Sequence, residues 1–174
     1  MENTEERLQT VFVLAGPPGA GKSTWINQHY IWDYDALISR DAIRFNLLKD
    51  GDVYFEKEDE VRRQFNKIIE EATDPNHWSS AVFIDATHLT PKSRAQVRRH
   101  IKGRPYQIAV SFEVPLEVAL GRNAQRTGRA FVPETAIRNM YYRYEKPTLK
   151  EGFDEIWHIN ADGVVTKEMG GGLI

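Results

Sequence analysis

The chain of 174 residues contains no cysteine, which excludes structural disulfides and thiolate metal sites and fits a reducing, cytoplasmic setting. Long apolar runs are missing too. The longest, such as residues 11–15, fall far short of the roughly 20 needed to span a bilayer, so no membrane role is expected. The first residues, Met1, Glu2, Asn3, Thr4, Glu5 and Glu6, lack the positive start of a secretory signal. No two histidines stand at metal-ligand spacing, so zinc is not expected. There is no repeat and no low-complexity linker, and the size fits one domain over residues 1–174, with 1–7 and 168–174 expected to fray. A net charge of −2 gives no overall attraction for a polyanion, but the charge is uneven. Residues 50–60 are acid-rich, whereas 92–104 carry Lys92, Arg94, Arg98, Arg99, Lys102 and Arg104 and no acid. That basic stretch reads either as a phosphate-holding patch or as a solvated helix face.

What the chain does have is Gly-Pro-Pro-Gly-Ala-Gly-Lys-Ser-Thr over residues 16–24, directly after an apolar run. This is the GxxxxGK[ST] phosphate-loop pattern in the strand-to-helix setting its mechanism needs. Gly16, Gly19, Ala20 and Gly21 let backbone N–H groups turn inward around a polyphosphate. The next helix presents its positive end to the same oxygens, with Ser23 and Thr24 in its first turn. Lys22 is placed for the β and γ phosphates and Ser23 for Mg²⁺, so a nucleoside triphosphate, ATP or another, is the expected ligand.

Apolar periodicity predicts strands over residues 8–15, 36–39, 81–85, 108–113 and 153–159, and helices over 22–28, 41–48, 56–72, 91–101, 115–122 and 133–144. Strands alternating with helices imply an α/β fold: a doubly wound parallel sheet of about five strands flanked by helices, with residues 123–131 as an arginine-bearing lid. Met140, Tyr141, Tyr142 and Tyr144 read as a packing stripe, and Trp25, Trp32, Trp78 and Trp157 as core or partial core.

In such a sheet, ligands bind beyond the carboxyl ends of the strands. Asp41 would follow the short second strand, with Arg44 three residues on and on the same helix face. Asp41 suits a base for an attacking hydroxyl, or a plain helix N-cap. Arg44 suits a bidentate phosphate clamp. Asp85 ends an apolar strand, the usual place of a Mg²⁺-associated carboxylate, with Thr87 at the same edge. His88, a loop histidine, reads as a surface residue before a catalytic one. Arg122, Arg126 and Arg129 would neutralise the transferring phosphoryl group, Arg122 and Arg126 sharing a side if one helix runs through both.

Residues 16–24, the Ser39-Arg40-Asp41-x-x-Arg44 element, Asp85-Ala86-Thr87 and Arg122-x-x-x-Arg126 followed by Phe131-Val132-Pro133 occur in the order of the polynucleotide 5′-hydroxyl kinases. The chain resembles the kinase domain of the phage and bacterial members from about residue 9 to about residue 159. The resemblance implies an ATP- and Mg²⁺-dependent kinase whose partner is a DNA or RNA 5′-OH end. It implies Asp41 as general base, with Lys22 and Arg126 as catalytic partners. Arg44 would clamp the acceptor's 3′-phosphate, and Asp85 and Thr87 would line the site. Phe131 and Val132 would lie near the acceptor base, Ser23 and Asp85 at the metal, and Arg122 and Arg126 on the donor phosphates. The DxDGT signature of the phage enzymes' phosphatase domain is absent, so 3′-phosphate removal is not expected. Two other readings stand beside this one. The first is a kinase of a small hydroxyl such as a nucleoside, nucleotide sugar or antibiotic. The second is a non-catalytic nucleotide switch.

Overall fold

Residues along the first apolar run face alternate sides. Val11 and Val13 lie in one packed layer and Phe12 and Leu14 in the other. That is the two-residue period of a strand covered on both faces. The computed structural model describes residues 9–77 and 79–171. The chain runs β1 (Thr10–Ala15), α1 (Lys22–His29), β2 (Asp35–Ser39), α2 (Arg40–Leu47), α3 (Glu58–Ala72), β3 (Ala81–Asp85), α4 (Pro91–Arg98), β4 (Tyr106–Glu113), α5 (Leu116–Ala124), α6 (Glu134–Arg143), β5 (Glu155–Asn160) and β6 (Val165–Met169). Short 3-10 turns occupy Gly128–Ala130 and Leu149–Glu151. The sheet order is β2-β3-β1-β4-β5-β6, parallel except for the antiparallel β5–β6 pair.

This order places β1 between β3 and β4: the chain leaves β1 toward β2 on one side and later crosses from β3 to β4 on the other. A crevice opens at such a switch point, beyond the carboxyl ends of β1 and β3. Each sheet face has its own core. Val61, Phe65, Ile69 and Ala72 form the buried stripe of α3 and pack with Val97 of α4 against Val11, Val13, Val82 and Ile84. Burying each large side chain of this stripe contributes about 1.5–3 kcal/mol. Glu58, Asp59 and Glu60 in the first turn of α3 suit the positive end of its dipole. On the other face, Trp25 and Ile26 of α1 meet Phe83, Val110 and Phe112. Phe12 stacks on Phe83 at 4.9 Å, and Trp25 meets Phe12 edge-on at 5.7 Å. This aromatic packing fixes α1, and with it the loop that α1 ends.

The basic stretch after β3 is divided, with two of its six cations turned inward. Arg94 is fully buried and forks onto Glu151, with Nε–Oε2 and Nη2–Oε1 distances of 2.8 Å. Its Nη1 donates to the carbonyls of His88 and Glu145, each at 2.9 Å. Arg98 donates to Gln107 and to the carbonyls of Glu151 and Gly152, over the Phe153 ring. Lys92, Arg99, Lys102 and Arg104 are exposed. The two arginines thus staple α4 to the turn before β5, and the stretch is not a single phosphate patch.

Several expectations need correction. β6 extends the sheet to six strands, so Glu168 and Met169 are ordered in a strand where fraying was expected. Its five residues are all exposed, so apolar periodicity has nothing to register. The usable signal was the Asp162-Gly163 turn, with Gly163 at φ 79°. α4 stops at Arg98 rather than 101, and α5 runs on to Ala124. Trp32 is 82% exposed and Tyr142 94% exposed, so neither is core. Residues 1–8, Trp78 and residues 172–174, on which parts of these expectations fall, lie outside the described residues. Among the described residues no helix is long and apolar enough to cross a membrane.

Arg94→Ala would leave the Glu151 carboxylate and two carbonyls unpaired. The expected cost is about 3–5 kcal/mol, the range for breaking a buried ion pair. Urea unfolding measures it, and a loss below about 1 kcal/mol would show that the fork is not a staple.

Candidate active site

The glycine-rich loop is shaped by contacts that only glycine permits. Gly19 has φ 80°, and a Cβ there would sit 2.6 Å from the Ala119 carbonyl oxygen. Gly21, at φ 101°, is the N-cap of α1 and supplies no side-chain cap. The first-turn N–H groups therefore open onto the crevice, beside the exposed Ser23 and Thr24. Ala20 is buried, and the Gly16 N–H donates to the Thr87 carbonyl at 2.9 Å, which ties the loop to the end of β3. Lys22 folds back, donating from Nζ to the Gly16 carbonyl at 2.7 Å and the Pro17 carbonyl at 3.1 Å. Burial pushes its ammonium below the ordinary lysine range, with Arg126 adding to the push and Asp85 and Asp41 opposing it.

Asp85 pairs in register with Ser39 at the ends of β3 and β2. Burial raises the Asp85 carboxyl above its usual range, Asp41 adds to this, and Lys22 and the Ser39 hydroxyl hold it down. Ser39, not Asp41, caps α2, its hydroxyl accepting from the Ala42 N–H. Asp41 in the first turn is thus free of capping duty, and its side chain is 66% exposed. It is close enough to bias the charge of both Lys22 and Asp85. The phosphate loop, Lys22, Asp85 and Asp41 share one mouth.

Arg44 is placed differently from the phosphate clamp implied by the resemblance. Its side chain is 7% exposed and every guanidinium nitrogen is engaged. Nε and Nη2 donate to Glu58 at 3.0–3.1 Å, while Nη1 donates to Asp41 and to the Tyr54 hydroxyl. Arg40 also reaches Glu58, at 2.5 Å. Glu58 and Tyr54 are the network partners that sequence reading missed. The acidic run 50–60 looked like charge alone, and no spacing tied Glu58 to Arg44.

Arg122 donates to the Ala161 carbonyl at 2.9 Å and the Gly19 carbonyl at 3.4 Å, so it touches the loop directly. α5 ends at Ala124, so no single helix carries Arg122 and Arg126, yet Arg126 still acts on the Lys22 charge. Asn123 is buried and clamps both backbone groups of Val132, at 2.7 and 3.0 Å. Phe131, beside it, is 48% exposed, and Arg129 lies over the Phe45 ring at 5.8 Å. His88 is buried rather than on the surface. Its Nδ1 lies 2.6 Å from the Leu14 carbonyl, so Nδ1–H donates there, and its backbone holds φ 39°. Nε2 is buried without a partner among the described residues, and burial drops the pKa to about 4.

Residues 11–147 match the AAA domain family AAA_33. The chain belongs to that family. This AAA domain is a kinase-like, nucleotide-binding P-loop domain. A curated relative, "Transcription factor bHLH140" of Arabidopsis thaliana, is 29% identical over 172 residues, which span 92% of the chain but only 17% of that protein. Among solved structures, Chaetomium thermophilum Kti12 in complex with ADP-AlF3 superposes with a TM-score of 0.64 at 18% identity, over 87% of the chain and 89% of Kti12. A chain of the Pnkp1/Rnl/Hen1 RNA repair complex gives 0.63 at 20% identity, over 82% of this chain and 46% of that one. A gluconokinase from Sinorhizobium meliloti gives 0.55 at 19% identity, over 87% and 82%. At these identities the superpositions establish a shared fold.

His88 sets an acid limit on stability. Its folded pKa, about 4, lies below the unfolded value near 6.5, so the unfolded chain binds the extra proton. Stability should therefore fall as pH drops from about 6.5 toward 4, by on the order of 3 kcal/mol at most. His88→Asn keeps a donor toward Leu14 and tolerates the left-handed backbone. Urea midpoints of this variant between pH 6.5 and 4 should show a slope flatter by about one proton. Parallel slopes in both proteins would contradict the buried neutral imidazole.

Proposed function

We propose that this domain transfers the γ-phosphate of ATP to the 5′-hydroxyl of a DNA or RNA end, with Mg²⁺. The observation that carries this is Asp41, an exposed carboxylate not needed as a cap, at the mouth shared with Lys22 and Asp85. A carboxylate there accepts the proton of the attacking hydroxyl. The 5′-oxygen forms its bond to the γ-phosphorus as the bond to the bridging oxygen breaks, and ADP leaves. The loop N–H groups hold the polyphosphate. Lys22 exchanges its two loop carbonyls for phosphate oxygens, while Arg122 and Arg126 neutralise charge from the lid side. Thr87 lines the floor, and Phe131 and Val132 border the acceptor at the lid's end. Arg44, held by Glu58, orients Asp41 and positions it for the hydroxyl.

Ser23 and Asp85 fit a magnesium ion. Both offer hard oxygen donors, and Asp85 keeps a raised pKa despite Lys22, so its buried charge is incompletely compensated within the protein. When bound, the ion neutralises the β and γ oxygens. The likeness to a chain of an RNA repair complex and to a fungal RNA kinase supports a nucleic acid acceptor. A small hydroxyl acceptor is the second reading. It is favoured by the gluconokinase likeness and by the internal use of Arg44, Arg94 and Arg98, which leaves fewer cations for a polyanion.

Labelled ATP offered with 5′-OH oligonucleotides, nucleosides and sugars decides between these. Label on oligonucleotides is expected, label on sugars alone would move the assignment to a small-molecule kinase, and ATP binding with no transfer would leave a switch. Asp41→Asn should lower kcat at least about 10²-fold with ATP affinity little changed. Unchanged turnover would remove Asp41 from proton transfer. Arg126→Lys should not restore the activity lost in Arg126→Ala, because an ammonium does not replace the guanidinium fork.

A further inference from the structure

Between α2 and α3 the chain exposes a run of large apolar side chains beside Asp41. Val53 is 71%, Phe55 63% and Tyr54 39% exposed. The segment is not a loose loop. Lys57 Nζ donates to the Leu47 carbonyl at 2.7 Å and pairs with Asp52 at 2.8 Å, and the Lys49 and Val53 N–H groups donate to Asp52 and Glu56. A built segment that holds apolar rings in water calls for an occupant. The rings also form an array. Tyr54 meets Phe55 edge-on at 4.7 Å and Phe45 at 6.1 Å. The Arg44 guanidinium lies 4.8 Å from the Tyr54 ring centre and 5.7 Å from that of Phe55, while Arg129 of the lid covers Phe45.

We infer that this aromatic array, in place of Phe131 and Val132, is the seat of the acceptor's 5′-terminal nucleobase, and that Phe131 and Val132 border the strand beyond it. The inference rests on the proposed transfer to a 5′-hydroxyl and names the group that aligns it. The Tyr54 hydroxyl lies 3.2 Å from the Asp41 carboxylate, so the array stands one nucleoside's reach from where the hydroxyl must sit. Ring faces interleaved with guanidinium groups are the stacking surface that unpaired bases use. Acidic residues surround the array, with Asp50 and Glu56 exposed, which disfavours a strand running along it. The seat therefore takes one base, that of the end nucleotide, and the rest of the strand leaves toward the lid. Stacking is tolerant of base identity, so all four bases are accepted.

Phe55 provides the test, because at 63% exposure its loss does not threaten folding. Phe55→Ala should raise KM for a 5′-OH oligonucleotide by about 5- to 150-fold, the range that stacking of one base supplies, with KM for ATP unchanged. Phe55→Trp should restore it. An oligonucleotide whose 5′-terminal residue is abasic should already show the raised KM with the unaltered protein, and Phe55→Ala should add nothing further. In binding alone, the indole emission gained in Phe55→Trp should be quenched by the normal oligonucleotide and not by the abasic one. Oligonucleotides phosphorylated equally well with and without the terminal base, or unaffected by Phe55→Ala, would overturn the seat and leave the kinase reading intact. Transfer to sugars alone, with no oligonucleotide labelled, would overturn both.

Discussion

The Lys22 ammonium is felt by two carboxylates, Asp85 at the end of β3 and Asp41 in the first turn of α2. Burial first, and then the nearby Asp41 charge, make Asp85 resist ionisation. Lys22 opposes this, and in return the acids hold its charge up against burial. In the proposed mechanism a polyphosphate entering this mouth would meet the Lys22 cation and two carboxylates, one for a metal and one for the acceptor. The parallel register Ser39↔Asp85 and the Gly16–Thr87 hydrogen bond set these groups beside the loop.

A second layer of interactions holds the first. Glu58, at the start of α3, grips Arg40 and Arg44 of α2, and Arg44 in turn grips Asp41. Asp41 would otherwise be a free rotor on an exposed turn. Arg94 acts similarly on the other side, tying the loop after β3 to the turn at Glu151. Both arginines looked like ligand-binding charge in the sequence, and both are turned inward. Residue type announces that a guanidinium is present, but only tertiary packing decides whether it faces a partner within the chain or a ligand.

The phosphate loop was legible because its mechanism forces a local pattern: glycines where a Cβ cannot fit, then lysine, then a helix start. The strands β1, β3 and β4 were legible as apolar runs for a similar reason, since a sheet covered on both faces leaves little choice of residue. β6 was hidden because an exposed edge strand carries no such constraint. The Tyr54–Asp41 and Glu58–Arg44 contacts were hidden because they join residues 13 and 14 positions apart across a turn. His88 looked like a surface loop residue, yet it is buried under the start of the phosphate loop, and nothing local in the sequence signals that.

In the proposed reaction a nucleic acid 5′-hydroxyl meets Asp41 at the mouth of the phosphate loop. A crystal structure with ADP, magnesium and a 5′-OH oligonucleotide tests it most directly. The terminal oxygen is expected within hydrogen-bond reach of an Asp41 carboxylate oxygen, roughly 2.6–3.2 Å, and in line with the β-phosphate. A bound strand whose end lies elsewhere, with Asp41 turned away from it, would contradict the account.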